Sequence, residues 1–273
     1  MSVKNDGSGH RSVQAEVEVP GTPEEVWQAI ATGPGISSWF VPTQLDEREG
    51  GVVAANFGPG MESSATITTW QPPLRFVAES QDMGPAAPAV ATEWIVEAQS
   101  GSTCVVRVVH RWFSAADDWD QQFEGHTHGW QAFFRILRLY LTHFKGLPGS
   151  AFQIMGVASA PTAQAWSSLV TSLGIAEADL GQRVQSAAAA PPFAGIVERT
   201  GPPEYPELLL RLDEPAPGLA HLFALPMGGP VYLPIRFYLY GDRAADAVAK
   251  QEPQWLAWIN ERFASAELPG AAS

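Results

Sequence analysis

The chain has 273 residues with 29 acidic and 16 basic side chains, a formal net charge of −13. Both halves are acidic (−8 up to Leu147, −5 beyond), so neither offers the cationic surface that duplex nucleic acid or anionic lipid requires. Apolar residues make up 45%, enough for one large core or two ordinary ones; no apolar run reaches a membrane span, and a single cysteine, Cys104, excludes an intramolecular disulfide and a cysteine-based zinc cluster.

The opening MSVKNDGSGHRSV is small and polar and lacks an apolar h-region. It is read as no signal peptide: residues 1–11 are expected to be mobile and the protein cytoplasmic. From Ser12 to Val19, Val13, Ala15, Val17 and Val19 alternate with polar residues, the period of a half-buried strand. Thr22, Pro23 and Glu25 then carry the signature of a capped helix start, with Val26, Trp27 and Ile30 on one face. Gly33-Pro34-Gly35 is read as the end of that helix, and ISSWF as a second short helical turn.

Between Asp46 and Phe113 the segments EGGVVAANFG, SSATITTWQPP, LRFVAES, ATEWIVEA and TCVVRVVHRWF predict antiparallel strands, with a loop at 84–89. The period then changes. Trp130, Phe133, Phe134, Leu137, Tyr140, Leu141 and Phe144 recur at three and four, predicting a long amphipathic helix over about 121–145. A curved antiparallel sheet wrapped on that helix is the economical way to bury both apolar faces, and the fold class is α+β.

The second half repeats the theme. FQIMGVASAPTAQAWSSLVTSLGI at 152–175 echoes the segment at 17–36, with Trp166 falling where Trp27 does. Strands are predicted at AGIVERT, PELLLRLDE, GLAHLFALP and VYLPIRFYLYG, fewer than in the first half. SAAAAPPF at 186–193 reads as a loose insertion. A final helix over 243–263 has Trp255, Leu256, Trp258, Ile259 and Phe263 as its stripe.

TPEEVWQAI, GISSWF, TCVVRVVHRWF and EGHTHGWQAFFRILRLYLTHF together resemble the START-related, helix-grip superfamily known as SRPBCC. Within it the likeness is to the branch named after the activator of heat shock protein 90 ATPase. The resemblance covers 13–146 and implies a helix-grip domain there. Residues 151–265 resemble it only through topology and the WSSLVTSLGI start, and are read as a degenerate second unit in tandem. The charged N-terminal module of the eukaryotic co-chaperone is not read before residue 13.

On TCVVRVVHRWF, Cys104, Val106, Val108, His110 and Trp112 share one strand face and Val105, Arg107, Val109 and Arg111 the other. Cys104 reads as a buried structural thiol, Arg107 and Arg111 as a solvated outer face. His110 is the polar group of the inward face, able to bond a ligand or to rest as a satisfied core histidine. His126 and His128, with Asp120 and Glu124 nearby, lack a third assured ligand, so no metal or other cofactor is expected. The candidate ligand-binding set is Trp39, Phe40, Trp94, His110, Trp112, Trp130, Phe133, Phe134 and Leu137, with plain core packing as the competing reading. No phosphate-binding loop, dinucleotide fingerprint, hydrolase elbow or HExxH occurs. The expected function is binding of a hydrophobic or aromatic small molecule in an apolar cavity of the N-terminal domain. Alternatives are a co-chaperone-like protein-interaction module, and a polyketide cyclase or aromatase-like enzyme drawing on His110, Tyr140 and an arginine.

Overall fold

The computed structural model describes residues 4–5, 10–57, 62–80, 89–113, 120–226 and 229–265, with backbone alone at 5, 10, 113, 120–128, 264 and 265. Two compact units emerge, Met1–Lys145 and Gly146–Ser273.

The first unit runs β1 (Lys4–Asn5), β2 (His10–Pro20), α1 (Pro23–Ile30), α2 (Gly33–Ser37), β3 (Thr43–Leu45), β4 (Val52–Asn56), β5 (Glu62–Gln71), β6 (Arg75–Ser80), β7 (Val90–Ala98), β8 (Thr103–Phe113) and α3 (Asp120–His143). Among the described residues its eight strands form one antiparallel sheet in the order β1-β2-β8-β7-β6-β5-β4-β3, so the long strands β2 and β8 lie side by side. The alternation along β8 puts Cys104, Val106, Val108, His110 and Trp112 in the buried layer, on the side of the sheet where α3 buries Phe133, Phe134, Leu137 and Leu141. Long helix and sheet thus bury each other's apolar faces in a helix-grip arrangement.

α1 begins as its sequence requires. Thr22 Oγ1 accepts from Glu25 N at 3.3 Å, and the Glu25 carboxylate accepts from Thr22 N at 3.0 Å. Gly33-Pro34-Gly35 does not end this helix but opens α2. Thr32 caps it by accepting from Gly35 N, and Pro34 fits a first turn, where its missing N–H has no partner to lose. Part of the tail expected to be mobile is strand, at Lys4–Asn5 and from His10, paired along β2 and β8.

The second unit contains β9 (Gly149–Ala158), α4 (Thr162–Leu173), β10 (Arg183–Gln185), β11 (Ala194–Thr200), β12 (Glu207–Glu214), β13 (Gly218–Phe223), β14 (Leu225–Pro226), β15 (Val231–Tyr240), α5 (Ala244–Arg262) and β16 (Ala264–Ser265). Its sheet order, β10-β11-β12-β13-β15-β9-β16 with β14 on β15, repeats the first: the opening strand pairs with the last long one and the rest meander back. The two units are helix-grip folds in tandem. The expectation of fewer strands is corrected, since among the described residues both sheets have eight; β10, β14 and β16 are too short to leave a period.

α5 rests closely on β9. A Cβ at Gly156 would stand 2.9 Å from Phe263 Cβ and 3.1 Å from Ile259 Cγ1, so glycine is what lets the helix end approach the strand. Leu256 leaves the predicted stripe: it is half exposed, because one residue past Trp255 is a turn of about 100°. Residues 186–193 are not loose. Phe193 is core, and Ala189 O accepts from Trp258 Nε1 at 3.1 Å. No helix among the described residues is long and apolar enough to cross a membrane.

Candidate ligand site

The short helices and α3 deliver aromatic side chains to one place above the inner face of β7 and β8. Trp39 and Phe40 leave α2; Trp130, Phe133 and Phe134 come from α3; Trp94 and His110 rise from the sheet. Phe40 meets Phe133 edge-on at 4.4 Å and stacks on Trp130 at 5.1 Å with planes 5° apart. Trp94 meets Trp130 edge-on at 5.1 Å, Trp39 at 6.1 Å and Phe134 at 6.5 Å. Offset and edge geometries are what ring quadrupoles favour. Seven of the nine candidates therefore form one contact network. Trp112 is buried two residues along β8 from His110, and Leu137 is buried one turn beyond Phe133 on α3.

One hydrogen-bonded chain crosses this aromatic cluster. The Trp130 indole N–H donates to His110 Nε2 at 2.6 Å, and His110 Nδ1 is 3.0 Å from Thr92 Oγ1. An indole nitrogen only donates, so Nε2 must be the acceptor. The imidazole is therefore neutral, its proton sits on Nδ1, and Thr92 Oγ1 accepts it. Thr92 was absent from the sequence-derived set. It faces His110 in the β7–β8 register, and its shared phase with Trp94 on ATEWIVEA was the available signal.

Burial is uneven. Phe40, Trp94, His110, Phe133 and Phe134 are all buried, whereas Trp130 is only partly so. The indole closes the cluster from the outside. Tyr140 is buried farther along α3, and Arg138 is exposed.

The opposite face of β7 is ionic. Glu93 is buried at 4% exposure, and its carboxylate accepts from Arg75 on β6 and Arg111 on β8. Burial pushes the Glu93 pKa up, but the two guanidinium hydrogen bonds outweigh it and the net shift is down. Arg111 stands exposed on the outer face, as expected, and is ion-paired there; Arg107 on the same face is partly covered and bridges Glu16 and Glu97. Cys104 is a buried thiol donating to Gly21 O at 3.3 Å; burial, then Glu24 and Glu25, raise its pKa and keep it protonated. The side chains of Asp120, Glu124, His126 and His128 lie outside the described residues. Among the described ones no group of three or more metal-ligating side chains occurs.

Residues 20–142 match the family model described as "Activator of Hsp90 ATPase homolog 1-like protein". Similar solved structures include CalU16 from Micromonospora echinospora, at 21% identity and a TM-score of 0.41, covering 52% of this chain and 83% of that one. The di-domain ARO/CYC BexL from the BE-7585A biosynthetic pathway, at 13% identity and a TM-score of 0.45, covers 93% of this chain and 99% of its own. The Aha1 dimer from Colwellia psychrerythraea, at 18% identity and 0.41, covers 50% and 98%. No curated protein matches the chain.

Proposed function

With the N-terminal unit a member of the Aha1-like branch of the SRPBCC superfamily, we propose that this unit, spanning about 13–146, binds a hydrophobic or aromatic small molecule. The ligand lies against Phe40, Trp94, Phe133 and Phe134, beside the hydrogen-bonded pair of His110 and Trp130. The observation that carries this reading is the Thr92–His110–Trp130 chain inside an aromatic cluster whose outermost ring is partly exposed. A core built only for stability gains little from a buried polar chain, since a net hydrogen bond contributes about 1 kcal/mol and a shape-matched apolar replacement is near neutral. Burying one aromatic ring of about 150 Å² at about 25 cal/mol/Å² contributes roughly 4 kcal/mol before ordering costs, so a ligand of two or more rings is needed for tight binding. The second unit, about 151–265, is a degenerate companion without an assigned ligand.

Native mass spectrometry of protein purified from its host tests the proposal. A co-purifying small molecule, lost on denaturation and depleted when Phe40 and Trp94 are both changed to Ala, is the expected result. Clean apo mass together with no heat on titration with multi-ring aromatics would overturn it.

A further inference from the structure

We propose that the second unit has a ligand site of its own, built around the Gln251 carboxamide on α5, which takes a neutral, largely apolar molecule carrying one cis-amide edge, a lactam or a cyclic imide. The site uses no residue of the first unit and stands apart from the aromatic cluster there.

Along α5 the covered side chains recur at three and four: Ala244, Val248, Gln251, Trp255, Trp258 and Ile259 form the one stripe that faces the core of this unit. Gln251, one turn before Trp255, is only 3% exposed, as buried as its apolar neighbours. The C-terminal half of the stripe is bulky, with Trp255 at 4.9 Å from Phe237 and 5.5 Å from Trp258. The N-terminal half is short, made of Ala244, Ala247 and Val248. The amide therefore stands where large side chains give way to small ones.

Gln251 Oε1 is buried and has no hydrogen-bond partner among the described residues. An unmatched buried acceptor lowers stability, and an apolar side chain of the same shape would remove that cost. Pro253 weakens the same stretch of helix. It has no N–H, so Ala249 O lacks the intrahelical donor that residue 253 would supply. A stripe that served packing alone would carry leucine or methionine at 251.

The surroundings select the occupant. The inner faces of β12, β13 and β15 present Leu210, Ala220, Leu222, Leu233 and Ile235. His221 is the other buried polar side chain of this unit among the described residues, and the alternation along β13 turns it to the opposite face from Ala220 and Leu222. A lone water needs several polar partners and finds one side chain here. A charged ligand would be buried with no opposite charge among the described side chains of this layer. A carboxamide sets a carbonyl oxygen beside an N–H, and a cis-amide answers both with two reciprocal hydrogen bonds, whichever way round the Gln251 amide is turned.

The test uses the full-length protein, labelled with nitrogen-15, and two probes of like size, the lactam 2-quinolone and its apolar counterpart naphthalene. The side-chain amide signals of Gln251 are assigned by their loss in Gln251→Met, so each titration reads this residue and not the first unit. We expect 2-quinolone to shift those signals saturably, with an affinity about tenfold or more above that of naphthalene, the equivalent of two net hydrogen bonds. Without probe, Gln251→Met, and Gln251→Leu as a second variant, should melt about 2–6 °C above the parent, because apolar atoms replace an unmatched amide. Unmoved Gln251 signals in 2-quinolone, or equal affinity for naphthalene, overturn the site. A lowered melting temperature in both variants, loss of the fold included, also overturns it, since the amide would then be matched within the protein and serve the fold. None of these outcomes bears on the ligand proposed for the first unit.

Discussion

The indole of Trp39 donates its N–H to the carbonyl of Ala29, 2.8 Å away, tying the chain that leaves α2 to the last turn of α1. Ala29 belongs to the last turn of its helix, where the chain end leaves carbonyls without an intrahelical donor. Both residues are buried, so this bond spares the helix end an unmatched acceptor. Trp39→Phe keeps most of the ring and removes the donor. Its unfolding free energy should fall by about 1–3 kcal/mol in urea titration. A change under about 0.5 kcal/mol would mean that the ring alone matters.

His110 and Trp130 should behave as a coupled pair. Trp130→Phe removes the donor and His110→Phe the acceptor, each breaking this bond at about 0.5–1.5 kcal/mol. Once one is gone the second costs less, so the double variant should be more stable than additivity predicts by about 0.5 kcal/mol or more. Thermal unfolding of the four proteins gives the coupling directly, with about 2–4 °C per kcal/mol expected for a chain of this size. Strict additivity would remove the hydrogen bond from the account of the site.

The Glu93 clamp predicts a pH dependence with a definite sign. Its carboxylate titrates below its ordinary 4.5, because the hydrogen bonds from Arg75 and Arg111 outweigh the cost of burial. The folded-state pKa lies under the unfolded one. The stabilisation is therefore complete above about pH 4.5 and is lost as pH falls through the lowered folded value. Glu93→Gln should cost about 1–3 kcal/mol at pH 7, and its deficit should shrink as the wild type protonates. Urea midpoints compared between pH 7 and pH 3 check this; a constant gap across that range contradicts it.

Trp27 and Trp166 hold the same helical position, the fifth residue of α1 and of α4, but not the same depth. Trp27 is buried edge-on against Trp70 at 5.1 Å and Phe76 at 5.9 Å. Trp166 is only partly covered by its core, where Leu169, Val170 and Leu173 carry the contact. Trp27→Ala should cost about 3–5 kcal/mol and Trp166→Ala less than half of that. Equal losses in the unfolding transition of each unit would restore full equivalence.

The sequence alone determined what depends on neighbours along the chain. The period-two runs of β5 to β8, the three-and-four stripe of α3, and the reciprocal cap of Thr22 and Glu25 are local patterns, each legible because an element buries one face or satisfies its own first turn. The recurrence near residue 152 likewise foretold a second unit of like topology. Tertiary structure decided what depends on residues far apart. β3, β10, β14 and β16 exist because an adjoining strand supplies partners, and two or three residues carry no readable period. Thr92 meets His110 because β7 and β8 pair in one particular register. Glu93 is ionised in a buried place because Arg75 and Arg111 reach it from the strands on either side. The bond from Trp130 to His110 rests on the same physics. An aromatic on a helical stripe reads as core, and only the acceptor lone pair held toward it by a strand eighteen residues away from Thr92, together with its partial exposure, sets it apart from Phe133 and Phe134.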